Sequence, residues 1–205
     1  MFVECDVDDP YQLAEAELIQ RLAEQNPLIA GTVASGRPEN PGFPSYLEKL
    51  TALTKLRGLR RVLHVVPDAV SRQSLFRENL QRLPAYNLTF DICALARQLP
   101  VARELVDACP KVTFILDHCG VPDVKARAFD PWREEIRALA ERANVNCKIS
   151  GLVAYGDPTS WTTADLRPWA EHVIECFGWN RIVWGGDWPV CTLSSTLSRW
   201  VATAH

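Results

Sequence analysis

Short apolar segments alternate with longer amphipathic segments along the whole chain. The short segments are rich in Val, Ile and Leu, which is typical of buried strands. Each is followed by a segment with apolar residues at helical spacing, or by the start of one. The predicted strands are, in chain order, MFVECDV, LIAGTVAS, GLRRVLHVV, LTFDICAL, VTFILDHCG, VNCKISGL and RIVWGGD.

This alternation predicts an α/β fold with a parallel sheet and helical crossovers. Two architectures share the pattern: an open doubly wound sheet, and a (β/α)₈ TIM barrel that lacks one unit. No G-x-G-x-x-G or G-x-x-x-x-G-K-S/T motif follows a strand, which disfavours the nucleotide-binding form of the open sheet. Because no linker or low-complexity segment divides the sequence, we predict one domain over residues 1–205.

Composition narrows the function classes. The net charge of -3 gives no reason to expect nucleic acid or an acidic membrane as a partner. No apolar run is long enough to span a bilayer, and the first residues show no signal-peptide pattern. The 7 cysteines are scattered without C-x-x-C pairs, which favours a reducing cytoplasm and argues against a cysteine-rich zinc site. We therefore expect a cytoplasmic protein with small-molecule partners.

Several predicted strands carry polar side chains on one face. Lys148 and Ser150 share a face of VNCKISG because alternate strand residues point the same way. A buried ionised group without a partner costs several kcal/mol, so such groups must face one another or water. A buried ion pair would explain any single one of these polar residues equally well. Because polar residues recur on successive strands, however, the pattern favours the mouth of a barrel, where active sites lie. The other polar pairs are Glu4 and Asp6, Arg60 and His64, and Thr89 and Asp91.

His118 and Asp187 lie where two predicted strands end. Each alone fits an ordinary structural role, a histidine at a strand end and an aspartate in a turn or helix cap. Together they are the pair that metal-assisted or general-base hydrolysis needs: an imidazole that polarises a carbonyl or binds a metal, and a carboxylate that deprotonates water. A dyad of His118 with Cys119 is disfavoured because neighbouring strand residues point to opposite faces.

Three segments resemble, in the same order, signatures of the amidohydrolase-related lactonase branch of the amidohydrolase superfamily: FILDHCGVP, VNCKISGL and RIVWGGDWPVC. FVECDVDDP and LRGLRRVLH match segments that come earlier in such chains, so the resemblance covers essentially the whole sequence. The third signature is the most specific. This branch includes proteins similar to sugar-acid lactonases and pyrone-dicarboxylate lactonase, and its members are often labelled metal-dependent hydrolases of the TIM-barrel fold. The resemblance thus favours the barrel over the open sheet.

The resemblance also implies roles for individual residues. The family's active-site histidine after the sixth strand corresponds to His118. The aspartate after the eighth strand, which is the general base and a ligand where metal is present, corresponds to Asp187. The family's first strand carries His-x-His, and this sequence contains no such motif. FVECDV matches the second strand, so we expect strands two to eight of an incomplete barrel, without the first strand and most of the last helix.

The expected activity is hydrolysis of a sugar-acid or dicarboxylate lactone, a carboxylic ester. Asp187 would activate water, and His118 would stabilise the oxyanion. A divalent metal, with zinc as the candidate, would be held by His118 and Asp187. Lys148 and Arg60 are predicted to bind the substrate, since both put a cation on a polar strand face. The alternatives are a decarboxylase of the same superfamily and a catalytically inactive fragment that binds a ligand or another chain.

Overall fold

In the computed structural model, which describes residues 1–204, the strands are hydrogen-bonded in strict chain order, β1 to β7. A doubly wound sheet reverses its strand order at a switch point. The described strands show no such reversal, so their order is that of a (β/α)₈ barrel, and the predicted incomplete barrel is confirmed. The strands are β1 (Phe2–Val3), β2 (Thr32–Ser35), β3 (Leu56–Val62), β4 (Thr89–Cys93), β5 (Thr113–Leu116), β6 (Val145–Ile149) and β7 (Ile182–Trp184).

A helix follows every strand, as the amphipathic segments predict. Pro168 is accommodated inside one of them, which extends from Thr163 to Phe177. Among residues 1–204, no helix is long and apolar enough to cross a membrane. The helices are α1 (Gln12–Gln25), α2 (Phe43–Thr51), α3 (Ser74–Leu80), α4 (Leu99–Ala108), α5 (Trp132–Ala140), α6 (Thr163–Phe177) and α7 (Leu197–Thr203).

The chain divides into two compact units. The first unit comprises Met1–Cys93 and Glu104–Phe114, and the second comprises Ala94–Arg103 and the chain from Ile115 onward. That the whole chain forms one domain stays a prediction.

The first unit is built on parallel pairing of β1 to β4. Its core contains a run of aromatic rings in edge-to-face contact. The ring centroids of Phe76 and Phe90 are 6.0 Å apart, and those of Phe90 and Phe114 are 6.2 Å apart. All three side chains are completely buried. Because edge-to-face packing joins the positive edge of one ring to the negative face of the next, this arrangement adds to the free energy gained from burial.

The second unit contains the parallel pair of β6 and β7, in which Lys148 is opposite Val183. The burial of β6 alternates: Val145, Cys147 and Ile149 are buried, whereas Lys148 is partly exposed. This confirms the two-residue period read from the sequence. Behind the strands, the ring of Trp169 stacks on Phe129 with centroids 3.9 Å apart, and Trp132 packs against both edge-on.

Six of the seven predicted strands end earlier than expected, and in β1 and β3 the early end changes where predicted polar residues lie. β1 stops at Val3, and Glu4 and Asp6 lie outside the strand, where Asp6 has a φ of 52° and its N–H donates to the Glu4 carboxylate. β3 stops at Val62, and His64 lies in the 3₁₀ turn that follows. The two-residue period predicts that His64 and Arg60 share a strand face, and this prediction is wrong because His64 lies outside the strand.

Candidate active site

His118 lies in a tight turn directly after β5. The chain leaves the strand at Leu116 and forms a 3₁₀ turn over Asp117–Gly120. His118 and Cys119 both have a φ of 54°, in the left-handed region. Residues other than glycine adopt this conformation at a cost of about 1–3 kcal/mol, and such residues cluster at functional sites. The turn therefore holds the imidazole in a direction that an extended strand could not provide.

The imidazole ring of His118 is fixed by β6 and the residue pair that follows it. Its Nδ1 atom is 2.9 Å from the Ser150 hydroxyl oxygen, within hydrogen-bond distance. A Cβ atom at Gly151, which has a φ of 72°, would lie 2.9 Å from the same nitrogen. Glycine is needed at position 151 because both the positive φ and the contact with the ring exclude a side chain. These contacts leave the Nε2 side of the ring directed toward Asp187.

Asp187 follows β7 with a φ of 51°. The backbone before it lies directly on β6: a Cβ atom at Gly185 would be 3.1 Å from the Ser150 Cβ and 3.3 Å from the Lys148 Cδ. The Trp200 indole N–H donates to the Gly185 carbonyl at 2.9 Å. The glycine thus brings the strand end close to β6, and the tryptophan fixes it there.

The side chains of His118 and Asp187 face each other across a short gap. His118 Nε2 is 3.8 Å from Asp187 Oδ1, and the two side chains are 12% and 11% exposed. This distance is longer than a hydrogen bond, but it allows one water molecule or one metal ion to touch both atoms. A base and an electrophilic group that share one small site can act on the same reacting water and carbonyl.

A second pair of charges lies beside the first. Lys148 Nζ is 2.5 Å from Asp117 Oδ1, and the Asp117 side chain is completely buried. Lys148 is on β6 and Ser150 is the residue directly after it, and these two residues contact the consecutive residues Asp117 and His118. The sequence analysis missed Asp117 and gave Ser150 no role. Two features of the sequence point to these residues: an aspartate directly precedes His118, and polar and apolar residues alternate in KISG.

Three of the cysteines near these groups are poorly suited to nucleophilic chemistry. Cys119 donates to the Lys148 carbonyl, with the sulfur 3.6 Å from the oxygen, so its thiol does not form a dyad with His118. Burial raises the pKa of the Cys147 thiol well above its usual value. Burial, and then the charge of Asp187, raise the pKa of Cys191. Because the thiolate is the reactive form, the raised pKa values make the Cys147 and Cys191 thiols less reactive than an ordinary cysteine at neutral pH.

Arg60 belongs to the first unit, on β3. Its Nε is 2.5 Å from Glu4 Oε1, and its Nη2 donates to the Glu4 carbonyl at 2.5 Å. The Glu4 side chain is fully buried and that of Arg60 is 13% exposed. The guanidinium therefore compensates a buried carboxylate. Substrate binding by Arg60 stays a prediction.

His118 and Asp187 provide suitable donors for zinc. Imidazole nitrogen and carboxylate oxygen bind zinc at about 2.0–2.2 Å, so two ligands of one ion lie within about 4.2 Å of each other. The observed 3.8 Å between Nε2 and Oδ1 satisfies this limit. Catalytic zinc sites usually have three protein ligands, and this pair supplies two of them.

Known proteins resemble this chain in sequence and structure. A protein described as L-fucono-1,5-lactonase from Burkholderia ambifaria is 26% identical over 181 residues, which are 84% of this chain and 60% of the relative. One with the same description from Burkholderia multivorans is 33% identical over 158 residues, 70% of this chain and 52% of the relative. This chain therefore spans between 52% and 60% of the length of these curated relatives.

A solved structure shares the fold. The crystal structure of an amidohydrolase from Burkholderia multivorans with bound zinc superimposes with a TM-score of 0.86 and 27% identity, covering 93% of this chain and 70% of that one. The family model described as "Amidohydrolase" matches residues 7–205. The chain belongs to this amidohydrolase family.

Proposed function

We propose that the protein is a hydrolase that opens a lactone by attack of water. The observation that supports this proposal is the 3.8 Å approach of His118 Nε2 to Asp187 Oδ1, in a site where both side chains reach the surface. A carboxylate base and an imidazole beside it are the two groups that ester hydrolysis requires. The lactonases among the relatives make a lactone the first ester to test.

In the proposed reaction, Asp187 accepts a proton from water. The resulting hydroxide attacks the lactone carbonyl carbon, and a tetrahedral oxyanion forms. His118 stabilises this oxyanion from its Nε2 side, while the Ser150 hydroxyl holds Nδ1 and keeps the ring in place. The ring C–O bond then breaks, and Asp187 returns the proton to the departing alkoxide. The product is the open-chain hydroxy acid, and every proton is accounted for.

Zinc, when bound by His118 and Asp187, would supply Lewis-acid polarisation of the carbonyl oxygen. With zinc bound, His118 Nε2 would hold the metal and could not also donate to the oxyanion, whereas the other residues would keep their tasks. Asp187 orients the water and takes its proton, and the Ser150 contact directs His118. Lys148, whose side chain is 12% exposed and is held by Asp117, is proposed to contact a substrate carboxyl or hydroxyl oxygen through its ammonium. We propose that the Arg60 guanidinium also contacts a carboxyl or hydroxyl oxygen of the substrate.

The test is product analysis on the purified protein. It is incubated with a panel of six-membered lactones that includes L-fucono-1,5-lactone, with and without added zinc, and acid release is followed by pH-stat titration. The proposal predicts acid release at a rate well above the uncatalysed rate, with no gas evolved. Carbon dioxide release from an aromatic acid would instead identify a decarboxylase. Neither product under any condition would contradict the proposal and favour the inactive alternative.

A further inference from the structure

The main chain of β7 has one edge that no described strand covers. Among the described strands, β7 is the last in the sheet and pairs with β6 alone. The Gly185 N–H donates to the Ile149 carbonyl at 3.0 Å, so the main-chain groups of Gly185 and Val183 face β6. Because these groups alternate in direction along a strand, the N–H and C=O groups of Ile182 and Trp184 point to the open edge. Such an edge is a template for pairing with another strand.

The open edge lacks the features with which proteins usually protect an exposed strand. Natural edge strands carry a lysine, a proline or a bulge. β7 consists of the apolar residues Ile182–Trp184 and is followed by two glycines. The Arg181 guanidinium, which directly precedes the strand, donates to the Ala140 and Arg142 carbonyls at 2.8 Å and 3.0 Å. That charge is therefore directed into its own unit, and the strand itself presents apolar side chains beside the edge.

The side chains beside this edge are large, apolar and exposed. Ile182 and Trp184 line a groove of about 540 Å³ together with Trp179 and Val201. Trp179 and Trp184 are 74% and 44% exposed, and Val183, on the other face of the strand, is 41% exposed. Large exposed apolar surfaces mark interaction sites on soluble proteins, so this part of the second unit indicates an interface.

The exposed area is sufficient for an interface between two copies of the chain. With roughly 200 Å² for a fully exposed tryptophan side chain, Trp179 and Trp184 together expose about 240 Å² in each copy. When Val183, Val201 and the main chain of the edge are included, two copies would bury on the order of 1,000 Å² in total. Specific protein interfaces begin at about this size.

The edge is also complementary to itself. If two β7 strands pair antiparallel about a two-fold axis at Val183, Trp184 lies opposite Ile182 of the partner subunit, and Val183 lies opposite Val183 of the partner subunit. The outward N–H and C=O groups of Ile182 and Trp184 would then form about four main-chain hydrogen bonds across the axis. Every opposed pair is apolar, and aromatic side chains opposite β-branched ones stabilise a sheet. A two-fold dimer requires this property, because both copies use the same surface.

We infer that β7 is a dimerisation edge, at which two copies of the chain join their sheets by antiparallel pairing. A foreign strand would have to match this short apolar edge, whereas a second copy supplies the matching residues in register. The groove beside the strand is then covered by the partner subunit, which explains why Trp179 and Trp184 are exposed in the single chain. This inference concerns assembly and does not depend on the proposed hydrolysis.

Sedimentation velocity of the full chain over a wide range of concentrations tests the inference. We expect a reversible equilibrium between monomer and dimer. Val183→Lys places two like charges at the two-fold axis and should weaken dimerisation at least about tenfold. Val65→Lys is the matched control, because Val65 is an exposed valine of the first unit, and it should keep the equilibrium of the unaltered protein. Trp179→Ser removes an indole that is 74% exposed, so it should weaken dimerisation by a similar factor with little change in Tm.

Hydrogen exchange of single amides identifies the edge that is used. The Ile182 and Trp184 N–H groups should become protected as the protein concentration rises, whereas the Val183 N–H, which faces β6, should be protected at every concentration. If Val183→Lys strongly lowers Tm, the result for Trp179→Ser decides.

Three results would overturn the inference. The first is a monomer at every concentration, and the second is a dimer that both Val183→Lys and Trp179→Ser leave intact. The third is protection of the Ile182 and Trp184 amides in the monomer, which would show that another part of the chain covers the edge.

Discussion

Two clusters of polar residues at strand ends use their charges differently. In the first unit, the Arg60 guanidinium and the Glu4 carboxylate are 2.5 Å apart and neutralise each other. In the second unit, His118 and Asp187 are held 3.8 Å apart, beyond hydrogen-bond range. Both of these residues have positive φ angles, whereas Glu4 and Arg60 do not. The comparison teaches that a polar residue at a strand end indicates either a neutralised pair or a candidate reactive site, and that the distance between the two charged groups separates them.

The largest expected effect is on catalysis in the second unit. Asp187→Asn keeps the size of the side chain and the left-handed backbone, which asparagine tolerates well, but it removes the proposed base. We expect turnover of a lactone to fall on the order of a thousandfold, with little change in melting temperature. Steady-state kinetics and thermal unfolding check both parts. Turnover close to that of the unaltered protein would show that Asp187 is not the base.

The next effect is on stability in the first unit. Arg60→Met leaves the buried Glu4 carboxylate without its guanidinium, which should lower the free energy of unfolding by about 3–5 kcal/mol. The double variant Glu4→Gln with Arg60→Met should recover most of that loss, because no unpaired charge remains. Denaturant unfolding measures both. The exposed pair of Arg72 and Glu104 is the control, and Arg72→Met should change stability by about 1 kcal/mol or less.

This experiment also tests the comparison itself. If Arg60→Met unfolds like the unaltered protein but raises KM for a lactone, Arg60 binds substrate and the first cluster is not merely structural. If the Arg60→Met variant loses stability as expected, the role of the Arg60 charge is to neutralise the buried Glu4 carboxylate.

A smaller effect is expected at Ser150, which contacts the imidazole but not the proposed reacting atoms. Ser150→Ala removes the 2.9 Å contact to His118 Nδ1 and should lower kcat/KM about tenfold, mostly through kcat. Because the hydroxyl also influences which nitrogen carries the proton, the pH profile of kcat should shift, which a purely structural role would not cause. An unchanged profile together with a lower melting temperature would assign Ser150 to packing alone.

The smallest effect concerns the start of α6. Asp165 accepts hydrogen bonds from the Thr162 hydroxyl and the Thr162 N–H, and these bonds, with Arg127, lower the pKa of the Asp165 carboxyl. A lowered pKa stabilises the fold above the unfolded-state value and is lost as the pH falls through the folded-state value. Asp165→Asn should lower Tm by about 2 °C at neutral pH.

Thermal unfolding at several pH values tests that sign. The difference in Tm between the unaltered protein and Asp165→Asn should close in acid. Glu171→Gln, which removes an exposed carboxylate paired with Arg167 on the same helix, should change Tm less. A difference that stays constant down to strongly acidic pH would contradict the assigned role of the Asp165 charge.

The architecture was predictable from the sequence because it rests on local periodicity. Apolar strand segments followed by amphipathic helices require parallel crossovers, and the resemblance favoured the barrel order that the sheet shows. The strand ends were less predictable. Asp6 adopts a left-handed turn, and neither its φ nor the bond from its N–H to Glu4 has a signal in the two-residue period.

The candidate site was predictable only in part. His118 and Asp187 could be selected because a strand exit is a local property of the sequence. Their surroundings depend on how the turn after β5 is placed against β6. That placement brings Ser150 to His118 and Lys148 to Asp117, and a shift of one residue would turn both side chains of β6 away. Pairing between distant segments carries no local pattern, so Arg60 and Lys148 looked alike in the sequence.

The central claim, that His118 and Asp187 act on the same reacting atoms, is tested most directly by a double-mutant cycle on lactone hydrolysis. His118→Asn, which also suits the left-handed backbone, should cost about a hundredfold in kcat/KM by weakening oxyanion stabilisation. Because groups that act as a unit are strongly non-additive, the double variant with Asp187→Asn should be only about as slow as Asp187→Asn alone. A double variant whose loss equals the product of the two single losses would show that the residues act independently, and would contradict the account.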